Sequence, residues 1–168
     1  INTMSSSAYI QEIQLADKIL SPILTEPKYF RYPYLSMGIP EKKAQIHRYL
    51  SAENYLIAPV TTDSKDFMFN QLLLSVPEKK RRSFLNFLKP CYLEFIWEQT
   101  LSVQEKNLRT HKPEQAQILL IHANLLNAYV LPDIINLYKQ HGFTFVSLSD
   151  ALKTNGVRVD VSLKFNRL

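Results

Sequence analysis

The sequence has little cysteine and no long apolar run, and both absences restrict the class of protein. Cys91 is the one cysteine in 168 residues, so neither an intrachain disulfide nor a cysteine-based zinc site is expected. It lies in the apolar stretch PCYLEFIW, which favours a buried structural thiol over a nucleophile. No apolar run approaches the roughly 20 residues that cross a bilayer, so no membrane span is expected.

The amino terminus shows no targeting signal, and the positive charge shows no pattern of nucleic-acid binding. INTMSSSAYI has no basic region followed by an apolar block, so no signal peptide is visible. The first residue is Ile1 rather than Met, which favours a processed or partial chain over an intact gene product. The net charge is +5 and is dispersed apart from residues 79–82, a run that favours a solvated helix face. No basic stripe with interleaved aromatic residues is present, so no nucleic-acid partner is expected.

Strand and helix patterns alternate along the chain and predict an α/β fold. The composition is 46% hydrophobic and 21% charged, which is ordinary for a globular domain. We place that domain at 1–155, with a helical insertion at 67–110 and a tail at 156–168. Periodicity predicts helices at 8–20, from Pro40, across 67–110 with breaks near Pro77 and Pro90, at 131–141, and from Ser147. Strands are predicted at 28–30, 55–61, 117–122 and 143–146. Such alternation implies parallel strands, and fully apolar strands suit a sheet covered on both faces, as in a barrel.

Polar side chains follow three of the predicted strands. Arg31 follows strand 28–30, Asp63 and Asp66 follow strand 55–61, and His122 closes strand 117–122. In an α/β barrel the reactive groups lie at the carboxyl ends of the strands, where the loops converge. An arginine, two carboxylates and an imidazole at matching strand ends are suited to acid–base chemistry on a polar substrate.

Each of these residues also has a purely structural interpretation. Arg31 could pair with a surface carboxylate, and Asp63 and Asp66 could cap the helix that follows them. His122 could be a hydrogen-bonded core histidine. The remaining histidines are expected at the surface: His47, His111 and His141.

Three segments in order carry a more specific pattern. They are KYFRYPYLSMG, PVTTDSKDFMFN and ILLIHAN, the last followed by GFTFVSLSDAL. They resemble the third, fourth and fifth motifs of the polysaccharide deacetylases of the NodB-homology family (carbohydrate esterase family four). Phe67 stands where the fourth motif has tryptophan. The matching residues are Arg31, Pro33, Tyr34, Asp63, Asp66, Leu120 and His122.

The resemblance implies a fold, a reaction and roles for these residues. The fold would be a distorted (β/α) barrel of the NodB-homology type that lacks its first strands. The reaction would be metal-dependent hydrolysis of acetyl groups from an acetylated polysaccharide or amino sugar. His122 would be the general acid, Asp66 would pair with its imidazole, and Arg31 would hold the catalytic carboxylate. The substrate-binding residues would be Tyr34, Leu120, Phe67 and Asp63.

The family's first two motifs, which supply the base and the metal ligands, cannot be found in this sequence. They would precede the helix that begins near Ser7, so the ligands of a divalent metal, zinc as first expectation, are expected upstream of this chain. A catalytic metal typically needs about three protein ligands, so the chain alone is expected to bind no metal tightly and to turn over no substrate. The open edge of an incomplete barrel favours pairing with that upstream segment or a homo-oligomer. A periplasmic or extracellular location is suggested by the family alone.

Two other functions fit the same sequence. A non-catalytic carbohydrate-binding or scaffold relative of this fold could use the chain's aromatic residues to stack on sugars. An interaction module could be built on the insertion 67–110, with FLNFLKPCYLEFIW either packing into the core or docking a partner.

Overall fold

The chain is mixed α/β and divides into two compact units. The computed structural model describes residues 3–24, 26–112, 115–154 and 161–165, the last segment by its backbone alone. The units are Ile1–Pro59, here called the N-unit, and Val60–Leu168, here called the C-unit. Each unit has its own cluster of buried side chains among the described residues.

The N-unit contains two helices and a short parallel sheet. Its elements are α1 (Ser6–Leu20), β1 (Lys28–Phe30), a 3-10 turn (Pro33–Leu35), α2 (Pro40–Ala52) and β2 (Tyr55–Ile57). Ser5 caps α1, since its Oγ accepts the Ala8 backbone N–H at 3.1 Å. Pro40 opens α2, where a missing N–H removes no hydrogen bond. β1 and β2 run parallel, so their carboxyl ends point the same way.

Apolar faces of both helices form the core of the N-unit. The buried side chains are Tyr9, Ile13, Tyr32, Ile46 and Leu50. Asp17 on α1 links the helix to both strands, because its carboxylate accepts hydrogen bonds from Lys28 Nζ at 3.1 Å and from the Tyr55 hydroxyl at 2.5 Å. The hydrogen bond from Tyr55, followed by that from Lys28, lowers the pKa of Asp17.

The C-unit is dominated by helices. Its elements are β3 (Thr62–Asp63), α3 (Asp66–Ser75), α4 (Glu78–Arg109), β4 (Leu119–Leu120), α5 (Leu125–Gln140), β5 (Phe143–Ser147), α6 (Leu148–Thr154) and β6 (Val161–Phe165). β3 and β4 pair in parallel, whereas β5 and β6 pair antiparallel. The buried core cluster is Leu73, Leu88, Tyr92, Ile96, Leu126, Val130, Ile134, Tyr138 and Phe143, with Trp97 packed against it.

Several sequence predictions are confirmed. The predicted helices at 8–20 and from Pro40, the strand at 143–146 and the break near Pro77 are all present. The helix after Ser147 is also present, and the Ser147 hydroxyl donates to Asp150 Oδ2 at 2.9 Å. Arg81 stabilises the break at Pro77, since its Nε donates to the Val76 carbonyl at 3.1 Å and so satisfies an end carbonyl beyond α3.

The predicted break near Pro90 is wrong. α4 runs unbroken from Glu78 to Arg109 with Pro90 inside it. An interior proline costs about 3 kcal/mol of helix stability, but Leu88 and Tyr92 on either side of it are buried in the core and hold the helix together. The helix predicted at 131–141 begins earlier, at Leu125, and likewise continues through Pro132.

The strand predicted at 55–61 is two strands with different partners. β2 pairs with β1, and β3 pairs with β4. The last backbone hydrogen bond on the first ladder runs from the Ala58 N–H to the Phe30 carbonyl at 2.8 Å. From Thr61 onward the backbone donates instead to the carbonyl of Ile118, just before β4. The strand predicted at 117–122 shortens to β4.

Burial differs from the prediction at two places. Cys91 is exposed on α4 rather than buried, whereas Leu88 and Tyr92 of the same helix are buried in the core. The strands β2 and β4 are only partly buried, so they are not the doubly covered strands that were expected. The described strands form three two-stranded sheets, and no closed barrel is present among them.

The segment 67–110 packs as core. Leu73, Leu88, Tyr92 and Ile96 from this segment are buried in the C-unit cluster. The predicted packing of FLNFLKPCYLEFIW into the core is therefore confirmed for this face of α4. Of the helices described, none combines the length and the hydrophobicity that a bilayer crossing requires. The predicted tail 156–168 lies outside the described residues except for the backbone of β6.

Candidate functional site

The carboxyl ends of β3 and β4 lie side by side in the C-unit. The two strands are parallel, and Asp63 at the end of β3 is paired with Leu120 at the end of β4. His122 follows β4 by two residues, and Asp66 begins the helix that follows β3. The sequence predicted that Arg31, Asp63, Asp66 and His122 lie at matching strand ends, and the structure brings Asp63, Asp66 and His122 together.

A tight turn carries the chain from β3 into α3. Lys65 has a left-handed backbone with φ of 50°, a conformation that costs a residue with a Cβ free energy and is found at functional sites. Ser64 ties this turn to the neighbouring strand, since its hydroxyl donates to the Leu120 carbonyl at 2.6 Å. The Asp66 N–H in turn donates to Ser64 Oγ at 3.3 Å. The turn therefore places the Asp66 side chain over the residues that follow β4.

Asp66 is buried, with 1% of its side chain exposed, and accepts four hydrogen bonds from the loop after β4 and the first turn of α5. Oδ2 accepts from the His122 backbone N–H at 2.6 Å, from Asn124 Nδ2 at 2.8 Å and from Asn127 Nδ2 at 2.6 Å. Oδ1 lies 2.7 Å from His122 Nδ1. A carboxylate surrounded by donors accepts at this contact as well, so Nδ1 carries a proton and donates it to Asp66.

His122 presents its other ring nitrogen outward. The side chain is 54% exposed, which makes the core-histidine interpretation wrong. No described residue bonds to its Nε2, so this atom is open to a substrate or to water. A buried carboxylate that fixes one ring nitrogen and leaves the other free is the arrangement found for histidines in acid–base catalysis. The cap interpretation of Asp66 is also wrong, since its oxygens bond to the loop after β4 and not to α3.

Two asparagines complete the site, and the sequence analysis did not identify either as part of it. Asn124 caps α5, because its Oδ1 accepts the Asn127 N–H at 2.9 Å while its Nδ2 donates to Asp66. Asn127 donates to Asp66 and to the His122 carbonyl, and accepts from the Tyr92 hydroxyl. The sequence HANLLN could have indicated them, because Asn124 is a favoured N-cap residue and Asn127 is the third residue of the helix that follows.

Asp63 is held by its own turn. It accepts from the Lys65 amine at 2.6 Å and from the Lys65 backbone N–H at 3.0 Å. The cap interpretation of Asp63 is therefore wrong, because Lys65 is the N-cap residue of α3 and no described side chain caps this helix. Burial alone raises the pKa of Asp63, but the hydrogen bonds from Lys65 outweigh this effect and the pKa lies below its usual value. The positive charge that His122 acquires on protonation lowers the pKa of Asp63 further.

Two of the predicted site residues belong to the N-unit. Arg31 follows β1, and its Nε donates to the Ala58 carbonyl at 3.2 Å. Burial lowers the pKa of Arg31 below its usual value, and no carboxylate pairs with it among the residues described. Tyr34 is fully exposed at 100% in the 3-10 turn. Their predicted roles beside the catalytic carboxylate and the acetyl group stay predictions.

Two of the predicted substrate-binding residues, Leu120 and Phe67, belong to the C-unit and lie close in sequence to His122 and Asp66, respectively. Leu120 ends β4 and is partly buried. Phe67, in the first turn of α3, is 49% exposed and directly follows Asp66. An exposed aromatic ring of this kind is available to pack against a sugar, which keeps the predicted substrate contact open.

The described residues do not fit the role of metal ligands. Among residues 3–24, 26–112 and 115–154, no group of three or more His, Cys, Asp or Glu side chains is placed to hold a metal ion. Within the site, both Asp66 oxygens are occupied by hydrogen bonds, and Asp63 is paired with Lys65. His122 Nε2 is then a single donor, below the roughly three protein ligands that catalytic metals use.

Comparison with known proteins adds no relative. No family model, no curated protein and no solved structure matches this chain. The geometry of Asp66, His122 and their partners, together with the motif resemblance, is therefore what supports a function.

Proposed function

We propose that this chain carries the general acid of a deacetylase that removes acetyl groups from an acetylated polysaccharide or amino sugar. The observation that supports the proposal is the contact between buried Asp66 and exposed His122 at the paired ends of β3 and β4. These two residues match the fourth and fifth motifs of the NodB-homology family, and 56 residues separate them in the sequence. Motif residues of a shared active site are expected to meet in this way.

The chemistry assigned to His122 follows from its hydrogen bonds. Asp66 holds the proton on Nδ1, so the neutral ring offers the Nε2 lone pair and the protonated ring offers an Nε2–H. In the second form His122 can donate a proton to the leaving nitrogen or oxygen of an acetyl group. Positioned acid–base groups of this kind contribute typically about 10²- to 10⁴-fold to the rate.

The complete fold of the proposed enzyme and its metal ligands would include residues other than those described. We propose a distorted (β/α) barrel of the NodB-homology type, in which the β3–β4 pair is one part of the sheet. A divalent metal, with zinc as first candidate, would be held by residues outside this chain. No step is assigned to a metal held by the residues described, because they offer one free donor.

A carbohydrate-binding relative without activity is the second candidate. The observation that favours it is the exposure of Tyr34, at 100%, and of Phe67, at 49%, since exposed rings stack on sugars. Such a protein would bind the oligosaccharide without releasing acetate.

The test is acetate release from an N-acetylated chito-oligosaccharide by the full-length gene product in the presence of Zn²⁺. His122→Ala should lower the turnover by about 10²- to 10⁴-fold. The matched control is His47→Ala, because His47 is also exposed and contacts Ser51 on its own helix. Equal activity of the His122→Ala variant and the wild type would contradict the proposal, and sugar binding without acetate release would favour the second candidate.

The same assay tests the expectation for this chain alone. These residues by themselves should bind no zinc tightly and release no acetate. Activity of the isolated chain would show that the metal ligands have been assigned to the wrong segment.

A further inference from the structure

Asn127 has one possible amide orientation. Its side chain is buried at 5% exposure, and its Nδ2 lies 2.6 Å from Asp66 Oδ2 and 2.9 Å from the His122 carbonyl oxygen. Both of these partners are acceptors, so the NH₂ group must face them. The Asn127 Oδ1 therefore points the other way, where it accepts from the Tyr92 hydroxyl at 3.0 Å.

Tyr92 supports this orientation from the core. It is 0% exposed within the C-unit cluster. Burial, as the largest effect, raises the pKa of Tyr92 to about 12, so the hydroxyl is protonated and can donate at neutral pH. The hydroxyl is therefore available as the donor to Asn127 Oδ1, which agrees with the amide orientation that the two acceptors set.

The two donations of Asn127 act on both parts of the acid–base pair. One reaches Asp66 Oδ2, which together with the donors from Asn124 and the His122 backbone fixes the plane of the carboxylate. Oδ1 is then directed at His122 Nδ1. The other donation holds the His122 backbone carbonyl, so the ring and the carboxylate are positioned by the same amide.

We propose that Asn127 is a positioning residue that keeps His122 in the tautomer protonated on Nδ1, with Nε2 directed outward. Its effect on the tautomer follows from the geometry alone. Its effect on turnover rests on the proposed function, because that effect requires His122 to be the acid. Hydrogen-bond partners that orient the histidine ligands of metal sites typically contribute about 10- to 100-fold, and an effect of the same order is expected for Asn127.

The experiment compares Asn127→Leu with the wild type in protein labelled with ¹⁵N at histidine. Leucine has the same number and branching of side-chain heavy atoms as asparagine but neither donates nor accepts hydrogen bonds. The His122 signals are assigned with a His122→Gln variant, and Trp97 fluorescence checks that the C-unit is folded. The wild type should show a single tautomer protonated on Nδ1, with a downfield Nδ1–H proton signal. Asn127→Leu should lose that proton signal and show a mixture of tautomers.

Asn70→Leu is the matched control. Asn70 Oδ1 accepts the Leu126 N–H at 3.0 Å, so this variant removes an asparagine contact to the start of α5 without touching Asp66. Its His122 signals should be those of the wild type. An unchanged tautomer in Asn127→Leu, or equal changes in the two variants, would overturn the proposal.

A second variant decides the case if Asn127→Leu does not fold. Tyr92→Phe removes only the hydroxyl that orients the amide, and partial loss of the Nδ1–H signal is expected. An unchanged signal in folded Tyr92→Phe then counts against the proposal.

Turnover separates this inference from the proposed function. In an active full-length protein, Asn127→Leu should lower kcat about 10- to 100-fold and leave KM little changed. A changed tautomer in a protein that never releases acetate would reject the deacetylase while keeping the positioning role of Asn127.

Discussion

Replacing Asp66 with asparagine tests the role of the buried carboxylate in the C-unit. The amide keeps one oxygen, which can occupy the position of Oδ2 and retain its three donors as neutral hydrogen bonds. The NH₂ group then faces His122 Nδ1 in place of Oδ1. Because an amide nitrogen donates, His122 must move its proton to Nε2 to keep this contact. Asp66→Asn should therefore preserve the fold and reverse the tautomer of His122.

The cost in stability follows from the three retained hydrogen bonds. A hydrogen bond to a charged group contributes about 1.5–3 kcal/mol, and a neutral one contributes about 0.5–1.5 kcal/mol. The difference of roughly 1 kcal/mol for each bond gives a loss of about 3 kcal/mol in the free energy of unfolding. This value is an upper one, because the desolvation cost of the buried carboxylate disappears with its charge. With a urea m-value of about 1–3 kcal/mol/M, the midpoint should fall by roughly 1–3 M.

Urea unfolding followed by fluorescence measures this loss. Trp97 is the chain's one tryptophan and packs against the core of the C-unit, so its emission reports on the unit that holds Asp66. Asp63→Asn is the control: this carboxylate is 26% exposed and pairs with Lys65 in its own turn, and exposed pairs contribute at most about 1 kcal/mol. An equal loss in the free energy of unfolding for the two variants, or no loss for Asp66→Asn, would show that the charged hydrogen bonds of Asp66 do not stabilise the C-unit in this way.

Three further predictions concern the folding of the C-unit. Pro90→Ala should stabilise it by up to about 3 kcal/mol in urea unfolding, since α4 passes through this proline, whereas Pro77→Ala before the helix should change little. Arg81→Ala should cost about 1–2 kcal/mol by freeing carbonyls at the end of α3, and Arg82→Ala should cost almost nothing, so similar losses would contradict the capping role. Burial raises the pKa of Tyr138 to about 12, above the roughly 10 of an unfolded tyrosine. The contribution of protonated Tyr138 to the free energy of unfolding is therefore complete below about pH 10 and is lost as the pH rises toward 12. Tyr138→Phe should remove this part of the alkaline loss of stability, and an unchanged pH dependence would argue against it.

The parts of the fold that local chemistry determines were predictable from the sequence. Ser5 and Pro40 begin helices where capping rules place them, and the break at Pro77 separates α3 from α4. The failures occur where packing overrides a local rule. Pro90 would end an isolated helix, but buried neighbours in the core keep α4 continuous. The apolar run 55–61 gave no indication that its two halves pair with different strands.

The candidate site also has a part that the sequence predicts and a part that depends on tertiary contacts. A strand pattern predicts where Asp63 and His122 fall along the chain, and parallel pairing brings them together. Neither pattern predicts that Asp66 is buried, because its burial depends on donors from residues 56 to 61 positions away. An asparagine after an apolar strand is in most cases a cap, as Asn124 is here as well.

Whether Asp66 has a structural or a catalytic role depends on which of its hydrogen bonds the fold needs and which atom of the site stays free to bond. A structural carboxylate needs donors only, and three donors on Oδ2 meet that need. The fourth partner, His122, is 54% exposed and has Nε2 open to solvent, so fixing its ring contributes little to the stability of the C-unit. Replacing His122 with alanine should accordingly cost less than the roughly 1.5–3 kcal/mol of a hydrogen bond to a charged group, because water can replace the exposed ring at Oδ1. A large loss of stability in urea unfolding of His122→Ala would assign the contact to folding and remove the main support for an acid–base role.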